Sequence, residues 1–191
     1  MELELKHLAP YLPYNLKCQV TDKRKRKIAT LGGLYNDGNC VFHDTIESEK
    51  GFKRIKPLLL PMSSLYTEME DGTVHIVELF KMYETREFDK NKKYSVVFDA
   101  PIIDYKWEVY NTIKSEEGIL RFIRKTSNMG DLVHSFRYDP KLRRFSMYDD
   151  SNRRPLGVAY QIDLFTYLFQ HHFDVFSLID NGLAIDKTII K

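Results

Sequence analysis

The chain contains few of the residues that form crosslinks or metal sites. Its 191 residues include only two cysteines, Cys18 and Cys40. Small secreted domains held by disulfides carry many more, and a structural zinc site needs cysteines or histidines in closely spaced pairs. The sequence therefore argues against a disulfide scaffold and against a zinc domain. We expect both cysteines to be reduced, half-buried strand residues, since a free cysteine behaves as a small hydrophobic side chain.

Long apolar runs and an excess of one charge are also missing. No apolar run approaches the roughly 20 residues that a membrane-spanning helix needs, and the first residues, MELELKHLAP, lack the basic and apolar regions of a signal peptide. The 29 Lys and Arg residues nearly balance the 27 Asp and Glu residues, so the whole chain generates no strong field. We therefore expect a cytoplasmic protein without membrane contact, in which only a local patch can bind nucleic acid.

Sequence signatures of common enzymes are absent as well. The chain has no P-loop, no Gly-x-Ser-x-Gly, no His-Glu-x-x-His and no Gly-x-Gly-x-x-Gly. Adjacent carboxylates, such as those of Glu116 and Glu117, point in different directions and are poor acid–base pairs. We predict no catalytic residue, no metal site and no cofactor, and the residues favour a non-enzymatic protein. A hydrolase or nuclease with its site in the middle region is the alternative.

The chain does have the composition of a folded protein. Hydrophobic residues make up 43% of it, aromatic residues 13% and charged residues 29%, which is typical of a globular domain with an aromatic, strand-rich core. At this length the chain can form one compact domain or two small lobes that share a core, and one compact domain is the default expectation. We predict a single domain over 1–191, made of a β-meander at 15–60, a mixed region at 61–155 and a helix at about 161–181.

Alternating side chains predict strands in the first third of the chain. Apolar residues alternate with polar ones at the start of the meander, where the inward-facing side chains are Leu16, Cys18 and Val20. Two further strands are expected at 28–35 and 40–44, joined by a turn of Asn, Asp and Gly at 36–39. Gly32 and Gly33 interrupt the second strand and predict a bulge.

The rest of the chain predicts a mixture of helices and strands. The segment 74–88 fits either a helix or a strand, and we favour a helix. A second helix is expected at 115–125, although Gly118 weakens it, and a hairpin at 131–150 places Phe136 and Tyr138 on one face. Together with the meander, these elements predict an α+β fold. Its antiparallel, partly barrel-like β-sheet has a long C-terminal helix packed on it.

The C-terminal segment QIDLFTYLFQHHFDVFSLIDN, at 161–181, has helical periodicity. Its polar residues, Asp174 among them, form one narrow stripe, so the helix is expected to be embedded over most of its circumference. Gly182 is expected to end the helix in the left-handed conformation. His171 and Asp174 form the best metal or acid–base pairing, but zinc needs a further ligand. We predict that His171 and His172 are neutral histidines of the core.

One run of positive charge stands out. Five consecutive cations are expected at the tip of the first hairpin, where they can lie against phosphates: Lys23, Arg24, Lys25, Arg26 and Lys27. Arg143 and Arg144, together with Arg153 and Arg154, extend this patch if the second hairpin lies on the same side. Alternatively, the charged tip only keeps a sheet edge soluble. No aromatic residue interleaves the run, so base stacking has no support there.

Three segments resemble an uncharacterised family of small proteins encoded by phages and prophages of Bacteroides-like bacteria. These segments are HLAPYLPYNLKC at 7–18, IKPLLLPMSSL at 55–65 and DLFTYLFQHHFDVFSLIDNGLAID at 163–186. In that family glycine often stands at the positions of Asn15 and Ser177, and tryptophan at that of His171. The tryptophan argues against a ligand role for His171. The resemblance implies a mobile-element protein of the bacterial cytoplasm and implies no activity.

The sequence therefore predicts a non-enzymatic accessory protein of a phage. Its partner is expected to be nucleic acid or a phage or host protein, and its oligomeric state stays open. A virion or assembly component is a further alternative to the hydrolase.

Overall fold

The chain forms two compact units in a computed structural model. The structure describes residues 1–22, 25–43, 50–68, 72, 74–80, 82–83, 107–110, 120–126, 130–149, 154–158 and 160–190. The first unit contains Met1–Met62 and Thr166–Lys191, and the second contains Ser63–Phe165. The boundary between them lies inside the C-terminal helix, and the single domain stays a prediction.

The first unit is built on a six-stranded sheet. Its strands are β1 (Lys17–Asp22), β2 (Lys25–Leu34), β3 (Asn39–Phe42), β4 (Lys50–Gly51), β5 (Ile55–Leu59) and β11 (Ile185–Asp186). The order across the sheet is β11-β5-β1-β2-β3-β4. All neighbours are antiparallel except β11, which pairs in parallel with β5. Helix α1 (Leu5–Leu8) and 3-10 turns complete the unit, at Ala9–Tyr14, Phe52–Arg54 and Lys187–Ile189.

The local signals of the meander are confirmed. Leu16, Cys18 and Val20 are at most 1% exposed, as the alternation requires. The register shifts between Leu31 and Gly33, which is the predicted bulge. At the turn after β2, Gly38 has a φ of +87°, a conformation that glycine adopts without steric cost.

The core of the first unit lies on one face of this sheet. It is formed by Leu8, Tyr11, Leu16, Cys18, Val20, Ala29, Leu31, Cys40, Phe42, Ile55, Leu59, Leu178 and Ala184. Tyr11 is fully buried, and its hydroxyl donates a hydrogen bond to the carbonyl oxygen of Phe173. Its ring meets Phe169 edge-on at 5.1 Å, a favourable aromatic geometry. Both ends of the chain therefore cover the same face of the sheet.

The second unit contains a five-stranded antiparallel sheet. Its strands are β6 (Trp107–Tyr110), β7 (Leu120–Thr126), β8 (Gly130–Asp139), β9 (Arg144–Asp149) and β10 (Arg154–Leu156), in the order β10-β9-β8-β7-β6. Helix α2 includes residues 75–80 and 82–83, and a 3-10 turn spans Met62–Tyr66. The hairpin predicted at 131–150 and the described part of the helix predicted at 74–88 are confirmed.

Aromatic side chains form the core of the second unit. Phe136 is fully buried and stacks on Phe145 at 5.4 Å, with Phe80 at 5.7 Å. Phe165 meets the ring of Phe145 edge-on at 6.0 Å. Such pairs add roughly 0.5–1.5 kcal/mol each beyond the burial of their area. This part of the C-terminal helix therefore packs on a sheet, as predicted.

The α+β class is confirmed, but the barrel-like character is wrong. In the described residues both sheets are open, with β11 and β4 at the edges of the first and β10 and β6 at the edges of the second. Edge strands β4 and β11 each have two residues and do not pair with each other. The sheets therefore end at short strands, which is one way in which proteins limit edge-to-edge association.

The helix predicted at 115–125 is wrong from Leu120 onward. This segment is β7, which pairs with β6 and β8 on its two sides. Leu120, Arg121 and Phe122 alternate in polarity, as a strand does. Hydrogen bonds to two neighbours outweigh the weak local preference for a helix. Residues 111–119 lie outside the described part of the chain.

The C-terminal helix is shorter than predicted. Helix α3 spans Gln161–Gln170, and His172 follows with a φ of +60°. The N–H of Leu60 donates to the carbonyl of His172, and the N–H of Asp174 donates to the carbonyl of Leu60, both at 2.8 Å. Phe173 thus forms a parallel bridge with Leu60. The prediction of a helix to 181 is wrong because the backbone after Gln170 bonds to the end of β5 instead.

A series of turns replaces the last part of the predicted helix. Gly182 has a φ of +68°, so its predicted left-handed conformation is confirmed. Asn15 and Ser177 have φ values of 55° and 57°. Both values lie in the left-handed region, which glycine adopts more readily than other residues.

Candidate functional site

The run of basic residues lies mainly on a strand. Lys23 and Arg24 fall outside the described residues, but Lys25, Arg26 and Lys27 are exposed and belong to β2. The antiparallel pairing of β1 with β2 confirms the predicted hairpin, but Lys25, Arg26 and Lys27 lie in its second strand and not at its tip. The pairing of β1 with β2 continues to Asp22 and Lys25, because cross-strand hydrogen bonds extend the ladder past the last apolar residue of the strand.

The register of the sheet determines where these side chains project. Residues directly opposite each other in an antiparallel pair share a face. Lys27 lies opposite the buried Val20, whereas Arg26 lies opposite the exposed Thr21. The cations of β2 therefore occupy both faces at the end of the sheet.

A second group of cations reaches the same end of the sheet. Strand β5 begins where β1 ends, because Ile55 lies opposite Val20. Lys53 and Arg54 precede it in an exposed 3-10 turn, and Lys56 is exposed on the strand itself. Sequence reasoning missed this group because 25 residues separate Lys53 from Lys27, the last cation of the basic run. The only local signal is the segment FKRIK.

We define the basic patch as the described cations at this end of the first sheet: Lys25, Arg26, Lys27, Lys53, Arg54 and Lys56. None of them forms an ion pair with another described residue; the salt bridge of this unit, at 2.9 Å, joins Lys6 to Glu4. Exposed cations attract phosphate groups and release counterions on contact. The patch can therefore bind a polyanion.

The second group of predicted cations belongs to the other unit. Arg143 lies in the turn between β8 and β9 with a φ of +45°, and Arg144 begins β9; both are exposed. In the same hairpin Asp139 accepts hydrogen bonds from the N–H groups of Leu142 and Lys141. The bond from Leu142 is the main reason that the pKa of Asp139 is lowered. Arg154 begins β10 and Arg153 lies outside the described residues, so the extension of the patch stays a prediction.

The histidine pair has two different environments. His172 is half-buried, and its Nε2 lies 2.7 Å from the carbonyl oxygen of Tyr14. Since a carbonyl only accepts, Nε2 donates. Burial lowers the pKa of His172 and therefore favours the predicted neutral form. His171 is exposed beside Tyr167, with ring centres 4.2 Å apart, so its predicted place in the core is wrong.

Asp174 serves the backbone. It is 4% exposed, and its two carboxylate oxygens accept hydrogen bonds from the N–H groups of Leu178 and Ile179, both at 2.8 Å. Burial raises the pKa of this carboxyl. Among the described residues there is no group of three or more potential metal ligands. Asp174 therefore acts as a cap of the turn that follows it.

The cysteines are buried thiols of the first sheet. Cys18 and Cys40 are both free and fully buried, which corrects the expectation of half-burial. Burial raises the pKa of the Cys18 thiol, and it raises that of Cys40 to about 12. Since the thiolate is the reactive form, neither side chain is prepared for nucleophilic chemistry.

The region assigned to a hydrolase or nuclease site lies largely outside the described residues, which leave out 84–106 and 111–119. In the part that is described, no helix is both long and apolar enough to cross a bilayer.

Comparison with protein-family models found no match, and comparisons with curated proteins and with solved structures found none either. The resemblance to the phage and prophage family therefore stays a prediction.

Proposed function

We propose that this chain is a non-enzymatic accessory protein of a phage or prophage that binds nucleic acid in the bacterial cytoplasm. The observation that carries the proposal is the basic patch. Two segments far apart in sequence bring exposed cations to one end of one sheet, next to the positions of Lys23 and Arg24 in the chain. A few charged side chains are enough to keep the edge of a sheet from associating with another sheet. Binding to a nucleic-acid backbone, in contrast, uses several cations together.

Salt dependence tests the proposal. Each phosphate contact to duplex DNA contributes about −0.9 to the slope of log K against log salt concentration. Binding of a labelled duplex, and of one of its strands, by the full chain is measured by fluorescence anisotropy over a series of salt concentrations. We expect binding at low salt that weakens steeply as salt is added.

A pair of matched variants locates the interface. Lys25→Gln with Arg54→Gln removes two charges of the basic patch, and Lys6→Gln with Lys187→Gln removes two exposed charges of the same unit elsewhere. The first variant is expected to reduce the duplex slope by about 2, and the second to leave it nearly unchanged. No binding at low salt refutes the proposal, and binding to a protein partner then remains as the alternative function. Equal losses in both variants refute the interface.

A further inference from the structure

The face of the first sheet opposite the core carries side chains that can contact a single strand of nucleic acid. Cross-strand partners on this face include Thr21 with Arg26, Gln19 with Ile28, and Gln19 with Lys56. Lys17 lies on the same face, opposite Thr30. We call it the outer face, and its exposed residues used below are Lys17, Arg26, Ile28, Tyr35, His43 and Lys56.

Two exposed rings also lie on the outer face. Leu34 pairs with the buried Cys40, so the next residue, Tyr35, projects from the opposite side, and it is 48% exposed. The exposed His43 follows the buried Phe42 and donates its backbone N–H to the carbonyl of Thr30. Both rings are therefore open to a ligand on the face that carries Lys17, Arg26 and Lys56.

The bulge of β2 at Gly32 and Gly33 lies beside the ring of His43. A Cβ built on Gly32 would lie 3.1 Å from the ring of His43, which is tighter than ordinary van der Waals contact. At Gly33 a Cβ would meet only Val41, at 3.7 Å. The two glycines therefore let the imidazole of His43 lie against bare backbone and leave the sheet surface accessible beside it.

The outer face has the length and the side chains of a binding site for single-stranded nucleic acid. From Arg26 to Tyr35 the path along β2 is about 30 Å, which suits several nucleotides within the roughly 4–16 that known single-strand modules cover. Exposed aromatic rings stack on bases that are not already stacked in a duplex, and cations along the path neutralise phosphates. A duplex offers phosphates but hides the faces of its bases.

We propose that the outer face binds single-stranded nucleic acid, with Tyr35 and His43 against the bases and Lys17, Arg26 and Lys56 against the phosphates. This inference rests on the proposed function and adds the class of ligand. It also explains the exposure of Ile28, which is 46% and lies between the cations, where it can contact a base or a sugar.

The experiment measures anisotropy of labelled single-stranded DNA and RNA of about 12 nucleotides, with the corresponding duplex as competitor. We expect the full chain to prefer either single strand. Tyr35→Ala is expected to weaken single-strand binding about tenfold, as the loss of one stacked base does, without changing the salt slope. Tyr35→Phe keeps the ring and is expected to bind like the wild type. Circular dichroism verifies that each variant is folded.

The cations of the outer face are tested separately. Lys17→Gln with Lys56→Gln is expected to reduce the single-strand slope by about 1.4, since each contact to a single strand contributes about 0.7. Lys6→Gln with Lys187→Gln is the matched control. Equal affinity for single strand and duplex, together with full binding by Tyr35→Ala, overturns the inference while the proposed function stands. Absence of binding to every nucleic acid at low salt overturns both.

Discussion

Replacing Asp174 tests how the C-terminal segment is held on the first sheet. Its carboxylate is 4% exposed and accepts two backbone hydrogen bonds at 2.8 Å, from Leu178 and Ile179. Its own N–H donates to the carbonyl of Leu60. One residue thus connects the end of β5 to the turns that carry the buried Leu178. Asp174→Ala removes both side-chain acceptors and leaves the two N–H groups without their present partners.

The expected loss follows from these two bonds. A cap residue contributes about 0.5–2 kcal/mol, and a buried donor left unsatisfied costs about 1–3 kcal/mol. Part of that cost is recovered where water reaches the N–H of Ile179, whose bond is only partly buried. We therefore expect Asp174→Ala to lower the free energy of unfolding by about 3 kcal/mol. Asp174→Asn keeps one acceptor oxygen and is expected to lose about 1 kcal/mol.

Urea denaturation, followed by circular dichroism and by tyrosine fluorescence, measures both losses. Asn181→Ala is the control, because the side-chain amide of Asn181 donates to the carbonyl of Ser177 in an exposed bond; it is expected to change stability by less than about 1 kcal/mol. A loss below about 1 kcal/mol for Asp174→Ala, or equal losses for the Ala and Asn variants, refutes the capping role.

The same residue gives a pH dependence of known sign. Burial raises the pKa of Asp174 in the folded state above the ordinary value of about 3.9. Between these two values the folded chain holds more protons than the unfolded chain, so the free energy of unfolding falls as the pH rises through this window. Asp174→Asn does not titrate. As the pH is lowered through this window, the free energy of unfolding of the wild type is therefore expected to rise relative to that of Asp174→Asn. A relative fall contradicts the burial of the carboxyl.

Three further changes test other parts of the first unit. Tyr11→Phe removes the hydrogen bond to the carbonyl of Phe173 and is expected to cost about 1–2 kcal/mol in thermal or urea unfolding; an unchanged stability contradicts the contact. Cys18 and Cys40 are expected to resist a thiol reagent at pH 8 and to react only in denaturant, since burial raises both pKa values; rapid reaction of the folded chain contradicts their burial. Gly182→Ala places a Cβ at a φ of +68° and is expected to cost about 1–2 kcal/mol, measured by the same unfolding experiment; a neutral or stabilising effect contradicts the left-handed turn.

Features of the first unit that depend on neighbouring residues were predictable. The alternation of Leu16, Cys18 and Val20 predicts which side chains are buried, because a strand has a period of two. The bulge at Gly32 and Gly33 was predictable for a similar reason, since glycine adopts backbone conformations that other residues avoid. In the second unit the hairpin of β8 and β9 was predictable for the same reason, because a local turn joins two alternating segments.

Features that depend on distant backbone were not predictable. The periodicity of 161–181 reports that the segment is buried, but the structure ends the helix at Gln170 because the carbonyl of Leu60 binds the N–H of Asp174. A carbonyl more than a hundred residues away leaves no local pattern. The sequence segment around Leu120 became a strand for the same reason, since two neighbouring strands pair with it.

The candidate site divides in the same way. The concentrated positive charge of Lys25, Arg26 and Lys27 is visible in the order of residues alone, and their exposure follows because an unpaired cation is costly to bury. The position of Lys53, Arg54 and Lys56 beside them comes from the pairing of β5 with β1. Strand pairing also sets which side chains share the outer face. Charge is a property of each residue, whereas register is a property of two strands together, so the ligand surface exists only after the sheet has formed.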